Sequence, residues 1–495
     1  MVRTPACLAA ALLAALAAGA TPPPFPENHR GLTRSITYAE MESFLHSVDG
    51  VGPVHVSVEG TSTQGRSLFV VHLARGGEAR WHVLFYAQQH GDEVAGSNAL
   101  LYLIRDVARD PALLPADVEV WIMPRVNPDG GEAATRRNAA GADLNRDHMT
   151  LAQPETQTLH RLARRIRPDV AVDCHEFGRD SEDWRAKGWN KWPDITMDGL
   201  DNPLFDPSVM AAAARWVDEA APAAAAAGHP FLRYWVGGVP PDEEQRHSAP
   251  DMDSAIEAIG AYGGLSFIIE SAVRWNAADP LADLGNRVDA YLVLLWRFVR
   301  GDGHRDEDLA AIAAGRSRPL PAFLPVNYLW VNPGMTITDF PAVDVATGRT
   351  LSVPTANMMT TMAVKRSVPT PLGYAVEPGA AAVAFAALLD RHGITYETLA
   401  TPRAVRAERC TLLRVEDQFD DVYGRYEGRV IVRREPPAPR ELPAGAIWIP
   451  LAGPDALRAA LLLEPAAMYG LYQYPAYRAL VAPDGAIPVL RVVRP

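Results

Sequence analysis

Cysteine is scarce: three in 495 residues. A disulfide framework is therefore excluded as the basis of this fold. Long apolar runs are absent after residue 20, which excludes a membrane helix in the rest of the chain. Positive charge is in deficit. The net charge is −12 and the sequence pI about 5.6, which argues against nucleic acid as the main partner. There is no internal repeat and no glycine motif for nucleotides. What remains is an ordinary globular composition, 48% hydrophobic and 21% charged, in a chain long enough for two or three domains.

The first twenty residues read as a secretory signal peptide. Arg3 supplies the charged start, Ala6 to Ala18 the apolar run, and Ala18-Gly19-Ala20 the small-residue cleavage pattern. Cys7 lies inside the apolar run, far from the cut, and does not read as a lipid-anchor cysteine. A secreted or periplasmic location is expected. Cys174 and Cys410 remain, placed in different domains and so not paired.

Residues 21–32 are Pro-rich and polar, an extended leader. Thr37 with Glu40 predicts a capped helix ending near Val48. Apolar runs at Trp81–Ala87, Val118–Met123, Asp169–Cys174 and Leu265–Ile269 read as buried strands. Between them, helical periodicity covers about 94–110, 155–166, 207–226 and 279–299. Residues 178–206 and 236–252 have no period and read as loops. Strands alternating with helices predict an α/β fold: a central mixed, mostly parallel sheet with helices on both faces over 33–303. After 303, proline rises and short alternating runs appear, predicting an accessory α+β region over 304–495.

The chemistry concentrates at strand ends, where open α/β sheets place their sites. His90 and Glu93 follow the Trp81–Ala87 strand, and an imidazole and a carboxylate three residues apart can hold one cation. His175 follows the next strand and is the best third ligand. Three such donors suit zinc, with a fourth position left for water. Alternation puts Asp173 on the face of His175 and turns Cys174 to the core. Glu270 closes an apolar strand, a costly place for a carboxylate without a task, and is the expected general base. Arg136-Arg137-Asn138 and Asn145-Arg146 suit a substrate ending in a free carboxylate. Asp143 is placed to orient a ligand histidine. His229, His247 and His304 sit in polar stretches and read as exposed.

These motifs resemble the zinc carboxypeptidase family, peptidase family M14. The likeness rests on His90-Gly91-Asp92-Glu93, Asn127-Pro128-Asp129-Gly130, Arg136-Arg137-Asn138, Gly141 to Arg146, Asp173-Cys174-His175 and Phe267 to Glu270. Gly60 to Arg66 also looks like the family's Gly-x-Ser-x-x-Gly-Arg turn, which adds Arg66 to the expected substrate contacts. The resemblance spans about residues 33–300. It implies an α/β/α fold, zinc on His90, Glu93 and His175, and Glu270 as catalytic carboxylate. It further implies Arg136 at the scissile carbonyl, and Asn145 and Arg146 at the terminal carboxylate of a peptide. The family's substrate-covering Tyr has no counterpart in 245–252; Tyr234 and Tyr262 are the nearest. Two other readings compete: a zinc deacylase or amidase on N-acyl amino acids or cell-wall peptides, and a non-catalytic peptide-binding protein.

Overall fold

Four strands whose residues are apolar on both faces form the centre of the molecule. The structure is a computed structural model that describes residues 25–420 and 425–494; the expected signal peptide and Cys7 lie outside the described residues. An eight-stranded sheet comprises β1 (Val54–Thr61), β2 (Ser67–Ala74), β3 (Trp81–Ala87), β4 (Val118–Met123), β5 (Val170–Gly178), β6 (Ile195–Gly199), β7 (Phe231–Arg233) and β8 (Leu265–Val273). Its order is β1-β2-β4-β3-β5-β8-β6-β7. The pairs β3–β4, β3–β5, β5–β8 and β6–β7 are parallel; β1–β2, β2–β4 and β8–β6 are antiparallel. The sheet is thus mixed and mostly parallel.

Alternation along each strand divides the core. Val83, Phe85, Val172 and Ile269 face the helices Ala95–Arg109, Pro207–Ala226 and Leu284–Arg300. Leu84, Tyr86 and Ala171 face Leu159 and Leu162 of the helix Pro154–Ile166, and Ile259. Burial on both sides is why these strands read as unbroken apolar runs. Each fully buried Leu, Ile or Phe contributes roughly 1.5–3 kcal/mol, enough to hold polar site residues among them. Thr37 and Glu40 form the expected capping box.

Several local expectations are corrected. Phe25, in the supposed leader, is buried against Phe44 and Tyr102. Asn127 to Gly130 is not a free turn: Pro128–Ala133 is a short helix, and Asn127 accepts the Gly130 N–H as its cap. The aperiodic 178–206 stretch contains β6, a member of the main sheet. His229 is buried, with Nε2 3.0 Å from Asp289 Oδ2. His247 is buried too, its Nδ1 2.7 Å from the Tyr234 carbonyl. Both trade water for a local acceptor. Cys174 and Cys410 are free and buried.

Beyond helix Arg305–Ser317, Gly373–Val376 and Val489–Val493 lie at the centre of a six-stranded antiparallel sheet with helices Ala380–His392 and Ala456–Leu463 alongside in sequence, an α+β arrangement. This part reaches back. Ile337–Asp344 pairs with Trp189–Lys191. Met358–Met359 pairs with Gln245–Arg246. Trp184, Trp235, Phe340 and Met358 share one buried cluster. The two aperiodic stretches of the α/β part are therefore held by strands drawn from 337–359.

Candidate metal centre and active site

Gln88 adopts a left-handed backbone conformation, φ 59°, at the end of β3. Such strain in a non-Gly residue persists only where the surroundings fix it. Here its side-chain Nε2 donates to the Gly91 carbonyl at 2.7 Å. Gly91 then passes so close to the next loop that a Cβ would lie 2.0 Å from the Gly130 carbonyl carbon. This fold of the backbone sets His90 and Glu93 on one side of the turn. β5 runs on through His175 to Gly178, and β8 runs on through Glu270 to Val273. Both residues are therefore within strands rather than after them, and they face each other in register across the β5–β8 pair.

His90, Glu93 and His175 converge. His90 Nδ1 is 2.7 Å from Glu93 Oε1, His175 Nδ1 is 2.8 Å from Oε2, and the two Nδ1 atoms are 3.2 Å apart. Each far nitrogen meets a carboxylate: His90 Nε2 lies 3.1 Å from Asp143 Oδ1, and His175 Nε2 lies 2.9 Å from Asp173 Oδ2. Each imidazole thus lies between two carboxylates, Glu93 at Nδ1 and an aspartate at Nε2; with a cation at Nδ1, the aspartate would hold the proton on Nε2. Two imidazole nitrogens and a carboxylate therefore converge on one point. All three residues are buried, and their donor atoms lie within 4.8 Å of one another. That donor set fits a divalent ion, and its nitrogen and oxygen composition suits zinc.

The electrostatics are those of an unbalanced cluster. Burial alone would raise the Glu93 carboxyl, but His90 and His175 outweigh it and hold it well below the carboxylate range. Asp143 is lowered likewise, burial being overcome by His90 and then Arg136. Glu270 is different. Burial pushes it up to about 7, only partly offset by His175. Keeping it ionised costs on the order of 3 kcal/mol, a charge placed for use rather than for stability.

Arg136 donates from Nε to Asp143 Oδ2 at 2.9 Å, and its Nη1 lies 3.7 Å from Glu93 Oε1. Arg137 instead donates to the Gly141 carbonyl, so Arg136 is the one beside the donors. The Asn145 amide bridges protein groups: Nδ2 lies 3.1 Å from His175 Nε2, and Oδ1 accepts the Ala255 N–H at 2.9 Å. Arg146 donates to the Asn145 carbonyl at 2.7 Å. A cavity of about 290 Å³ brings together His90, Glu93, Arg136, Asn145, Arg146 and Glu270. Asp143, Asp173 and His175 are not among its lining residues; the two aspartates support the imidazoles of His90 and His175. Arg66 is a correction. It does not line this cavity but donates to Asp129 Oδ1 at 2.6 Å, bracing the Asn127–Gly130 segment.

Sequence reasoning assigned no site role to Arg246, Ser248, Asp253 and Ile256, which also line the cavity. Their only signal was membership in, or nearness to, the aperiodic 236–252 stretch. Of the two nearest tyrosines, Tyr234 lines the cavity and Tyr262 hydrogen-bonds His160 at 2.9 Å, away from it. Behind the wall, Glu257 accepts the Asp201 N–H at 2.8 Å, and burial pushes its carboxyl up to about 8. Since the folded value exceeds the unfolded one, stability falls as pH rises from about 4.5 to 8. Glu257→Gln is expected to raise Tm by several degrees at pH 8.5 and by little at pH 4.5, measured by thermal melts at both.

Residues 41–178 match the model of the family described as zinc carboxypeptidase. Carboxypeptidase 2 of Trichophyton tonsurans is 29% identical over 171 aligned residues, covering 32% of this chain and 31% of that protein. Mouse carboxypeptidase M is 33% identical over 146 residues, covering 23% of this chain and 32% of its own length. The chain thus spans a third or less of the length of the curated relatives it matches. Among solved structures, a metallo-carboxypeptidase from Burkholderia cenocepacia aligns with TM-score 0.42 at 22% identity, over 54% of this chain and 70% of that one.

Proposed function

We propose that this protein, whose residues 41–178 match the zinc carboxypeptidase model, is a zinc-dependent metallocarboxypeptidase that releases the C-terminal residue of peptides. The observation that carries the proposal is the convergence of His90 Nδ1, His175 Nδ1 and Glu93 on one point, at a cavity that His90 and Glu93 line together with the buried carboxylate of Glu270. His90, Glu93 and His175 would hold the ion. Bound there, zinc would supply a Lewis acid that acidifies water and polarises a carbonyl oxygen.

The chain's own residues supply the rest. Glu270, poised near neutrality, takes a proton from the attacking water and returns it to the leaving amine nitrogen. Arg136, fixed by Asp143, donates to the carbonyl oxygen as negative charge grows there. Arg146 holds the terminal carboxylate; the main-chain carbonyl of Asn145 fixes Arg146, and its side-chain amide fixes His175. The charged start, apolar run and Ala18-Gly19-Ala20 pattern of the sequence support export to a secreted or periplasmic location. Mass spectrometry of a mixed peptide library, with and without chelator, tests the activity: single-residue C-terminal losses that chelator abolishes are expected. Release of acyl groups from N-acyl amino acids, with peptides untouched, would favour the deacylase reading. Arg146→Ala is expected to lower kcat/KM by roughly 10- to 150-fold, the worth of a charge-assisted hydrogen bond, chiefly through KM.

A further inference from the structure

Three arginines line the cavity, and they differ in their partners. Arg136 is tied to Asp143 and lies near Glu93. Arg146 lies 4.0 Å from Asp253. Arg246 has neither arrangement. Its Nη1 donates to the carbonyl of its own neighbour, His247, at 2.9 Å, and among the described residues no carboxylate lies within ion-pair distance of it. Its side chain is half-buried. A guanidinium removed from part of its water, with no counter-charge, favours an anion that arrives with a ligand.

The backbone at Arg246 is not free to swing. Gln245–Arg246 is the middle strand of three, between Val236–Gly237 and Met358–Met359, with Gln245 fully buried. The guanidinium is thus presented from a fixed base, which limits the entropy lost on contact. Ile256 and Ile268 line the same cavity and offer apolar surface to methylenes next to a charged tip.

We propose that Arg246 makes this cavity selective for substrates carrying an acidic side chain at the released C-terminal residue, glutamate above all. The inference rests on the peptidase reading. Glutamate fits both parts of the wall: two methylenes against the isoleucines and a carboxylate for the guanidinium fork. Because Met358–Met359 anchors the strand, residues after 303 contribute to specificity without entering the cavity.

The test compares kcat/KM for peptide pairs ending in Glu and in Gln, which differ by charge alone. The wild-type ratio is expected to exceed about tenfold. It falls to near one in Arg246→Gln, is partly kept in Arg246→Lys, and in Arg246→Glu gives way to a preference for a C-terminal Lys. Thermal melts of each variant confirm folding. A wild-type ratio near one, or a ratio unchanged in Arg246→Gln, overturns the inference while leaving peptide hydrolysis standing. If the metal-loaded enzyme releases no residue from either peptide, the peptidase reading itself has failed. Calorimetric binding of acetyl-Gly-Glu against acetyl-Gly-Gln then decides the inference alone, equal affinities overturning it.

Discussion

Replacing Glu270 by Gln is expected to lower kcat for peptide hydrolysis by about three orders of magnitude, with zinc content per chain unchanged. The amide keeps the shape and loses the ability to take a proton, a role worth about 10²–10⁴-fold. Glu270 is suited to that role by its place in β8, where burial pushes it up to about 7. In the loaded enzyme the rate should fall as acid protonates this carboxyl, at a pH that the bound cation sets below the metal-free value, because the neutral carboxyl cannot accept. Stability moves the other way. The folded value lies above the unfolded one, so in the metal-free protein stability is lost as pH rises from about 4.5 to 7. The Gln variant should then melt higher than wild type above pH 7 when both are stripped of metal. An equal rate in wild type and variant would remove Glu270 from the chemistry.

The parts of the fold legible in the sequence were those whose residues answer to local physics. β3, β4, β5 and β8 are covered on both faces, so they appear as apolar runs. The Thr37 cap is a contact three residues long. The motif residues could be placed because each sits on or next to such a strand. The parts that were not legible depend on distant partners. β6 is five residues long with Asp198 inside it, and its character comes from pairing with β8 rather than from its own composition. Arg246 reaches the cavity because residues 358–359 clamp its strand, a contact more than a hundred residues away. His229 and His247 looked polar and exposed, and are buried because Asp289 and the Tyr234 carbonyl replace their water. Arg66 matched a motif, but Asp129 turns it away from the cavity.

Removing the ion should abolish turnover and also be visible without any assay of activity. Metal-free wild type is expected to gain several degrees in Tm on zinc addition, since an ion at 1,000 times its Kd stabilises by about 4 kcal/mol. His175→Ala and Glu93→Gln should show no such gain and no peptide hydrolysis. The reason lies in the donor set. His90 Nδ1, His175 Nδ1 and the Glu93 oxygens crowd within 2.7–3.2 Å, and a shared cation turns that crowding into attraction. Asp143 and Asp173 decide how well it does so, because each holds a ring nitrogen proton and aims the opposite lone pair. Asp173→Asn should weaken zinc 10- to 100-fold. Asp143→Asn should do the same and also release Arg136, which Asp143 anchors, so it should lose more in kcat than Asp173→Asn at saturating zinc. A wild-type Tm indifferent to zinc would mean that these three side chains are a buried hydrogen-bond network and not a metal centre.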